Sequence, residues 1–335
     1  MCSLPLSGWL VAHWGSQKTL WLSSALYPLV LLLLGLCPSV AWLALGLFGF
    51  GLVGNMVNIA VNTQAVGVEQ QYGRSIMASF HGVWSLAGFC GAAVATGLVL
   101  LGFSPQAHFQ WICVALWGLA FFIRPYTLPT DQTGLPAPLF AKPDKALFLL
   151  GLMAFACMAC EGTMFDWSGI YFQRVVKVPA AQISMGYTAF MVTMATGRFV
   201  GDKLVTKFGP KKILQGSGLT IFMGLALAVF FPQVTSATLG FFVVGFGVSS
   251  VVPLVYSAAG RSQKMNAGVA LAAVSSIGFL GFLLGPPLIG FVAAAWGLQT
   301  SFFVMAILGL SLAYLAHLAF PHPSSTPTQT NDANP

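Results

Sequence analysis

Two acids stand inside a stretch that is otherwise almost wholly apolar: Glu161 and Asp166, within residues 145–172. A carboxylate in an apolar segment is expensive to bury, so its presence points to a proton relay or a polar solute site. If the stretch is a helix rising about 1.5 Å per residue, Glu161 lies about 24 Å and Asp166 about 32 Å from Lys145. Glu161 is then a candidate for a proton or polar-substrate site. Its other reading is a packed acid hydrogen-bonded to a neighbouring helix. Asp166, nearer the far end, could cap, gate or pair with Arg174.

Amides and aromatics form the second group. Asn55, Asn58 and Asn62 are spaced i, i+3 and i+7, which puts them on one face of a helix. They either line a cavity or hydrogen-bond to adjacent helices. His81 and Trp84 follow in the next apolar stretch. His81 lies about 9 Å beyond Ser75 by helical rise, a depth similar to that of Asn62 on the returning helix, so a contact between the two is expected. His81 is either a titrating group or a histidine satisfied within the bundle, and Trp84 either stacks on a sugar-like ring or packs. Tyr256 is a further candidate, with Ser249 and Ser250 upstream and Pro253 placed to kink that helix.

Composition names the elements that hold these residues. Only 6% of the 335 residues are charged and 57% are hydrophobic, against about 25% charged in soluble domains. A soluble enzyme, a nucleic-acid-binding domain and a disordered chain are excluded. Long unbroken apolar runs also exclude a transmembrane barrel, whose strands alternate. The reading is an all-α membrane protein. Complete spans fall near 19–38, 40–67, 75–102, 106–126, 145–172, 178–205, 211–231, 235–258, 265–293 and 299–320. Met1 to His13 read as the second half of a helix, and residues 321–335, polar and Pro-rich, as a disordered tail. The six cysteines lie almost all in apolar runs and read as packing residues. Of the 14 basic residues, all but Arg174 and Lys177 fall in one alternating set of loops. By the positive-inside rule that set, and the C-terminus with it, faces the cytoplasm.

The chain also repeats itself. Residues 7–18, SGWLVAHWGSQK, align with 201–212, GDKLVTKFGPKK, at an offset of 194 that also pairs Gly51 with Gly245 and Gly91 with Gly285. Two equivalent halves in the same orientation are expected. They divide as residues 1–126, a central loop at 127–144, and residues 145–320. The offset places about one and a half further spans ahead of Met1.

The second copy of the repeat reads Gly197-Arg198, then Gly201-Asp202-Lys203-Leu204, running to Lys207-Phe208-Gly209-Pro210-Lys211-Lys212. This resembles the cytoplasmic Gly/basic motif of the major facilitator superfamily. The first copy keeps Gly8, Gly15 and Lys18 but has no acid. Glu161-Gly162, with Asp166-Trp167-Ser168, is similar to the fucose-permease-like branch of bacterial inner-membrane permeases. The resemblance implies a bundle of two pseudo-symmetric six-helix halves, here without the first helix and part of the second. It also implies a multi-pass inner-membrane protein that moves a small solute by alternating access, coupled to a proton. Asp202, with Arg198, Lys203, Lys207 and Gly209, would form a latch: the acid holds basic groups or a helix end in one state and releases them in the other.

The residues set the limits of that reading. No nucleophile–base set, metal-ligand cluster or phosphate loop is present, which argues against an enzyme and an ATP-driven pump. No cofactor, metal or nucleic-acid partner is expected; the partners are a solute, a proton and the bilayer, and the chain is expected to act as a monomer. Amides and aromatics suit a sugar or similar neutral polar molecule. Apolar walls with one acid suit drug or metabolite efflux equally, and a non-transporting remnant is the third reading.

Overall fold

The computed structural model describes residues 3–129 and 137–320, so the expected tail and part of the central loop lie outside the described residues. Among the described residues every regular element is a helix. The first half holds α1 (Ser3–Trp14), α2 (Ser16–Leu34), α3 (Val40–Tyr72), α4 (Met77–Leu100) and α5 (Pro105–Ile123). The second holds α6 (Lys145–Tyr171), α7 (Met185–Phe208), α8 (Pro210–Phe230), α9 (Val234–Val248), α10 (Val251–Gly260), α11 (Ala267–Trp296) and α12 (Leu298–Ala319).

Helices are the form these runs must take, because a lipid-buried backbone has to satisfy its own polar groups. Nine stretches are long and apolar enough to cross a bilayer by length and composition. The other long helix is α7, which carries Arg198, Asp202, Lys203 and Lys207. Local residues start several helices. Asp144 accepts from the Leu147 N–H at 2.9 Å and Asn266 from the Gly268 N–H at 2.9 Å, as N-caps do. Asp144 is also 3.0 Å from Lys264.

The repeat is visible in the helix ends. At the 194 offset, the end of α1 at Trp14 falls on the end of α7 at Phe208, and the starts of α2 and α3 fall on those of α8 and α9. The turn glycines agree as well. Gly15 has φ 83° and ψ 154°, Gly209 φ 80° and ψ 157°. A positive φ suits glycine, which carries no Cβ.

The equivalence stops inside the fourth helix of each pair. α3 is continuous over 33 residues. The expected span 235–258 is instead two helices, α9 and α10, parted at Ser249 and Ser250. Pro253 supplies the cause: it has no N–H for the Ser249 carbonyl, and its ring crowds that carbonyl. The span expected at 178–205 starts later, at Met185, because a π turn at Phe172–Val176 and a short 3-10 turn at Ala180–Gln182 precede it.

Close packing is confined to one half, which corrects the expectation for the paired glycines. In the second half a Cβ on Gly245 would stand 2.2 Å from the Phe190 carbonyl oxygen, and one on Gly285 3.0 Å from the Ala159 backbone. Gly278 and Gly281 likewise let α11 lie against α6. In the first half nothing lies within 4 Å of a Cβ added at Gly51, Gly88 or Gly91. These three were expected to pack helices and do not.

Two outcomes follow from these contacts. Gly245→Ala and Gly285→Ala each lower stability by about 1–3 kcal/mol, the cost of overpacking, whereas Gly51→Ala and Gly91→Ala do not, as read from SDS unfolding of the four variants. Equal losses in both halves would contradict the packing difference. Second, the Leu147 N–H, followed by Lys264, holds the Asp144 carboxyl below its ordinary value of 3.8. A lowered folded value means stability that is complete above the unfolded value and is lost as pH falls through the folded one. The fall in melting temperature below about pH 4 is therefore shallower in Asp144→Asn than in the parent chain; identical acid limbs would remove Asp144 from that role.

Candidate functional site

The first turn of a helix presents four backbone N–H groups with no partner in the helix itself. In α4 two carboxylates from opposite halves take all four. Glu69 Oε2, from the last turn of α3, accepts from Ile76 N–H at 3.0 Å and Met77 N–H at 2.9 Å. Asp202, from α7, accepts from Ala78 N–H at 3.1 Å through Oδ1 and from Ser79 N–H at 2.7 Å through Oδ2. The Ser75 hydroxyl also donates to Asp202, at 3.0 Å. Negative charge at a helix N-terminus is favoured by the helix dipole. Glu69 reaches across as well: its Oε1 accepts from Arg261 Nη2 at 2.7 Å and from the Ser257 hydroxyl, both second-half residues. Its side chain is fully buried.

One turn from Asp202 on the same helix face lies Arg198, only 5% exposed. Its Nη1 donates to the Ser85 hydroxyl and, at 3.5 Å, to the His81 carbonyl, both on α4. The guanidinium lies 5.7 Å from the centre of the Trp84 ring, within cation–π range. Its Nη2 is 3.8 Å from Oε1 of Glu161 on α6, and Glu161 is 7% exposed. Arg198 Nε is buried without a partner among the described residues.

The broken helix seats against this face of α7. A Cβ on Gly197 would strike the Ser249 hydroxyl and one on Gly201 the Ser250 hydroxyl. From α10 the buried Tyr256 presents its ring to His81 at 6.0 Å between centroids, edge-on, and accepts a hydrogen bond from Ser275 of α11 at 2.9 Å. His81 Nε2 is buried and unpartnered. Glu161, Arg198, His81, Trp84 and Tyr256 are thus drawn from four helices and both halves.

Other candidates lie elsewhere or behave otherwise. Asp166 and Arg174 are both exposed, and the expected pairing is absent among the described ion pairs. Asn62 donates at 2.8 Å to the Asn58 carbonyl in its own helix, and His81 faces Tyr256 instead of Asn62. Asn55 donates at 2.8 Å to Ser3 of α1, while Asn58 Oδ1 is buried without a partner. Trp84 is 70% exposed. Lys203 and Lys207 are exposed, with Lys207 over the Phe208 ring at 5.2 Å, so the partner of Asp202 here is a helix end and not a lysine. Gly209 forms the turn into α8.

Comparison with known proteins matches this architecture. The family model described as Major Facilitator Superfamily matches residues 1–262 and again 147–335. The chain belongs to the major facilitator superfamily. An uncharacterized MFS-type transporter of Yersinia pestis is 34% identical over 313 residues, covering 93% of this chain and 82% of the relative. An uncharacterized transporter of Sinorhizobium fredii is 31% identical over 320 residues, covering 94% and 84%. Among solved structures, the fucose:proton symporter FucP in the outward conformation superposes with a TM-score of 0.74 at 15% identity, covering 95% of this chain and 86% of that one. The proton:xylose symporter XylE gives 0.72 at 11% identity, covering 95% and 82%.

In this major facilitator protein, a multi-pass membrane transporter, the acid of the repeated motif is used once. The 194 offset places Gly8 on Asp202 and Ala272 on Ala78. Where Asp202 bonds α4, a Cβ on Gly8 would stand 2.6 Å from the Ala272 Cβ, so α1 and α11 touch directly. Sequence reading missed Glu69, Ser85, Ser257 and Arg261. Glu69 was outside the span expected at 40–67, and α3 runs on to Tyr72. Its position seven residues before the start of α4 was the available signal.

Glu69→Gln and Asp202→Asn each cost about 1 kcal/mol, the scale of a lost N-cap. Because both serve one helix end, the double variant departs from the sum by at least about 0.5 kcal/mol. Unfolding of the four proteins in one detergent measures this; strictly additive losses would show that the two carboxylates act independently.

Proposed function

We propose that this chain is a proton-coupled secondary transporter that moves a small polar solute by alternating access, as a monomer in the inner membrane with its C-terminus cytoplasmic. The observation that carries this reading is the buried Glu161–Arg198 pair, at 3.8 Å, in which Arg198 also grips α4 of the opposite half. A proton arriving at Glu161 changes the charge facing Arg198, and Arg198 passes that change to the contact between halves. A coupling ion and a rocking motion are linked in this way through one side chain.

The contacts of Glu69 and Asp202 join the halves at the end carrying most basic residues, the cytoplasmic end by the positive-inside rule. They support a state closed to the cytoplasm, with Asp202 on the α4 N-terminus as the latch that must release for opening. The two sugar symporters of similar fold are named for a proton and a sugar. That supports proton coupling and a solute of monosaccharide size here.

The test is uptake by the chain reconstituted in liposomes, with labelled monosaccharides, polyols and sugar acids and an imposed pH gradient. The parent chain accumulates a solute against its gradient. Glu161→Gln still exchanges that solute but loses at least about tenfold of the gradient-driven component, or 1.4 kcal/mol, and Asp202→Asn exchanges more slowly without unfolding. Accumulation by Glu161→Gln equal to that of the parent would remove Glu161 from coupling.

A further inference from the structure

We propose that the transported solute carries a carboxylate, and that the Nε/Nη2 edge of Arg198 is where it binds. The inference rests on the transporter reading and names the substrate class of the same site.

A guanidinium offers five N–H donors in a rigid fork. In Arg198 the Nη1 arm is engaged with His81 and Ser85 of α4. The opposite edge, made by Nε and Nη2, is the one whose two parallel N–H bonds match a carboxylate. That edge is unfilled. Nε has no partner among the described residues, and Nη2 has only Glu161 Oε1 at 3.8 Å. A charge-assisted N–H···O bond is about 2.7–2.9 Å long, so Glu161 stands roughly 1 Å too far off to make one. A structural ion pair with side chains only 6% and 9% exposed would be expected to close that gap, because an unsatisfied buried donor costs about 1–3 kcal/mol. Here the acid balances the charge while the bidentate edge stays free. Beside it, His81 holds a second orphan at Nε2, on the residue whose carbonyl Arg198 engages.

Charge balance leads to the same class. Glu161 and Arg198 together are neutral, and the face of α11 lying on α6 is glycine and apolar side chains. A neutral solute would leave the pair in competition with itself. An anionic solute can take Arg198 as a proton takes Glu161, which keeps the buried charge constant. The titratable groups within electrostatic reach of Glu161 are Arg198 from α7, Tyr256 from α10 and Cys157 on its own helix; His81 of α4 faces Arg198. Among these Arg198 is the fixed positive charge.

The experiment is thermal stabilisation of the full chain in nanodiscs by two matched pairs of probes: D-glucuronate against D-glucose, and acetate against acetamide. The carboxylate of at least one pair raises the melting temperature of the parent chain and its neutral partner does not. Arg198→Gln loses the effect. Arg198→Lys, which keeps the charge without the fork, weakens it about tenfold. Glu161→Gln folds with Arg198 lacking a fixed counter-charge and binds the carboxylates at least about tenfold more tightly, acetate included. Should Arg198→Gln fail to fold, the Glu161→Gln result decides. Equal protection by the neutral probes, carboxylate protection that survives Arg198→Gln, or no carboxylate protection of Glu161→Gln would each overturn the proposal. Proton-driven uptake of a neutral sugar that ignores Arg198→Gln would overturn the carboxylate and leave the transporter standing. Absence of gradient-driven uptake of any solute would strike the transporter reading itself.

Discussion

Four backbone N–H groups at the start of α4 have to be satisfied where water is scarce, and the two halves share the task. Glu69 takes the first two and Asp202 the next two. Neither half can complete this helix end alone. Separation of the halves at this end therefore exposes donors as well as breaking an ion pair, and the same bonds that close the end set what opening it costs. Arg261 and Ser257 extend the arrangement to α10 through the second oxygen of Glu69. One helix terminus thus gathers α3, α4, α7 and α10.

The repeat gives both halves the same helix starts and the same turn glycines, and the chain then uses them differently. At the position of Asp202 the first half has Gly8, and direct packing against Ala272 replaces the carboxylate. One interface between the halves is polar and can exchange partners. Its counterpart is steric. The second half also breaks its fourth span at Ser249 and Ser250, where the hydroxyls lie over Gly197 and Gly201, and it packs α11 tightly on α6. The denser half carries the acid and the arginine, and the first half presents α4 to them. A rigid body bearing charges against a partner held at one helix end is an arrangement in which a change of charge becomes a change of contact.

Arg198 joins the two levels of this interface. It lies one turn from Asp202, so the helix that caps α4 also reaches deeper along it to His81 and Ser85. Its remaining edge faces Glu161 across 3.8 Å. A group that both grips the opposite half and leaves a donor edge open is placed to feel a solute and to move the interface when one binds. Tyr256, held by Ser275 and set edge-on to His81, keeps the neighbouring wall fixed while that happens.

Composition and order alone determined that this is a helical membrane protein of two equivalent halves, because apolar runs of bilayer length and a conserved offset are properties of the linear chain. They also marked Glu161, Asp202 and Arg198, since charges stand out against an apolar background. They could not rank the polar candidates. Asn62 turns into its own helix, Asp166 stays unpaired at the surface among the described residues, and Gly51, Gly88 and Gly91 touch nothing, although each has the spacing of a packed or functional residue. Glu69, read as a loop acid, became the most buried carboxylate at the interface only because α3 continues for five residues beyond the end expected from its apolar run. The difference has a physical cause. A span is chosen by the free energy of moving its own residues into lipid, which the sequence states directly; a site is chosen by which orphaned N–H meets which oxygen across helices far apart in the chain, and that is decided only once the halves have packed together.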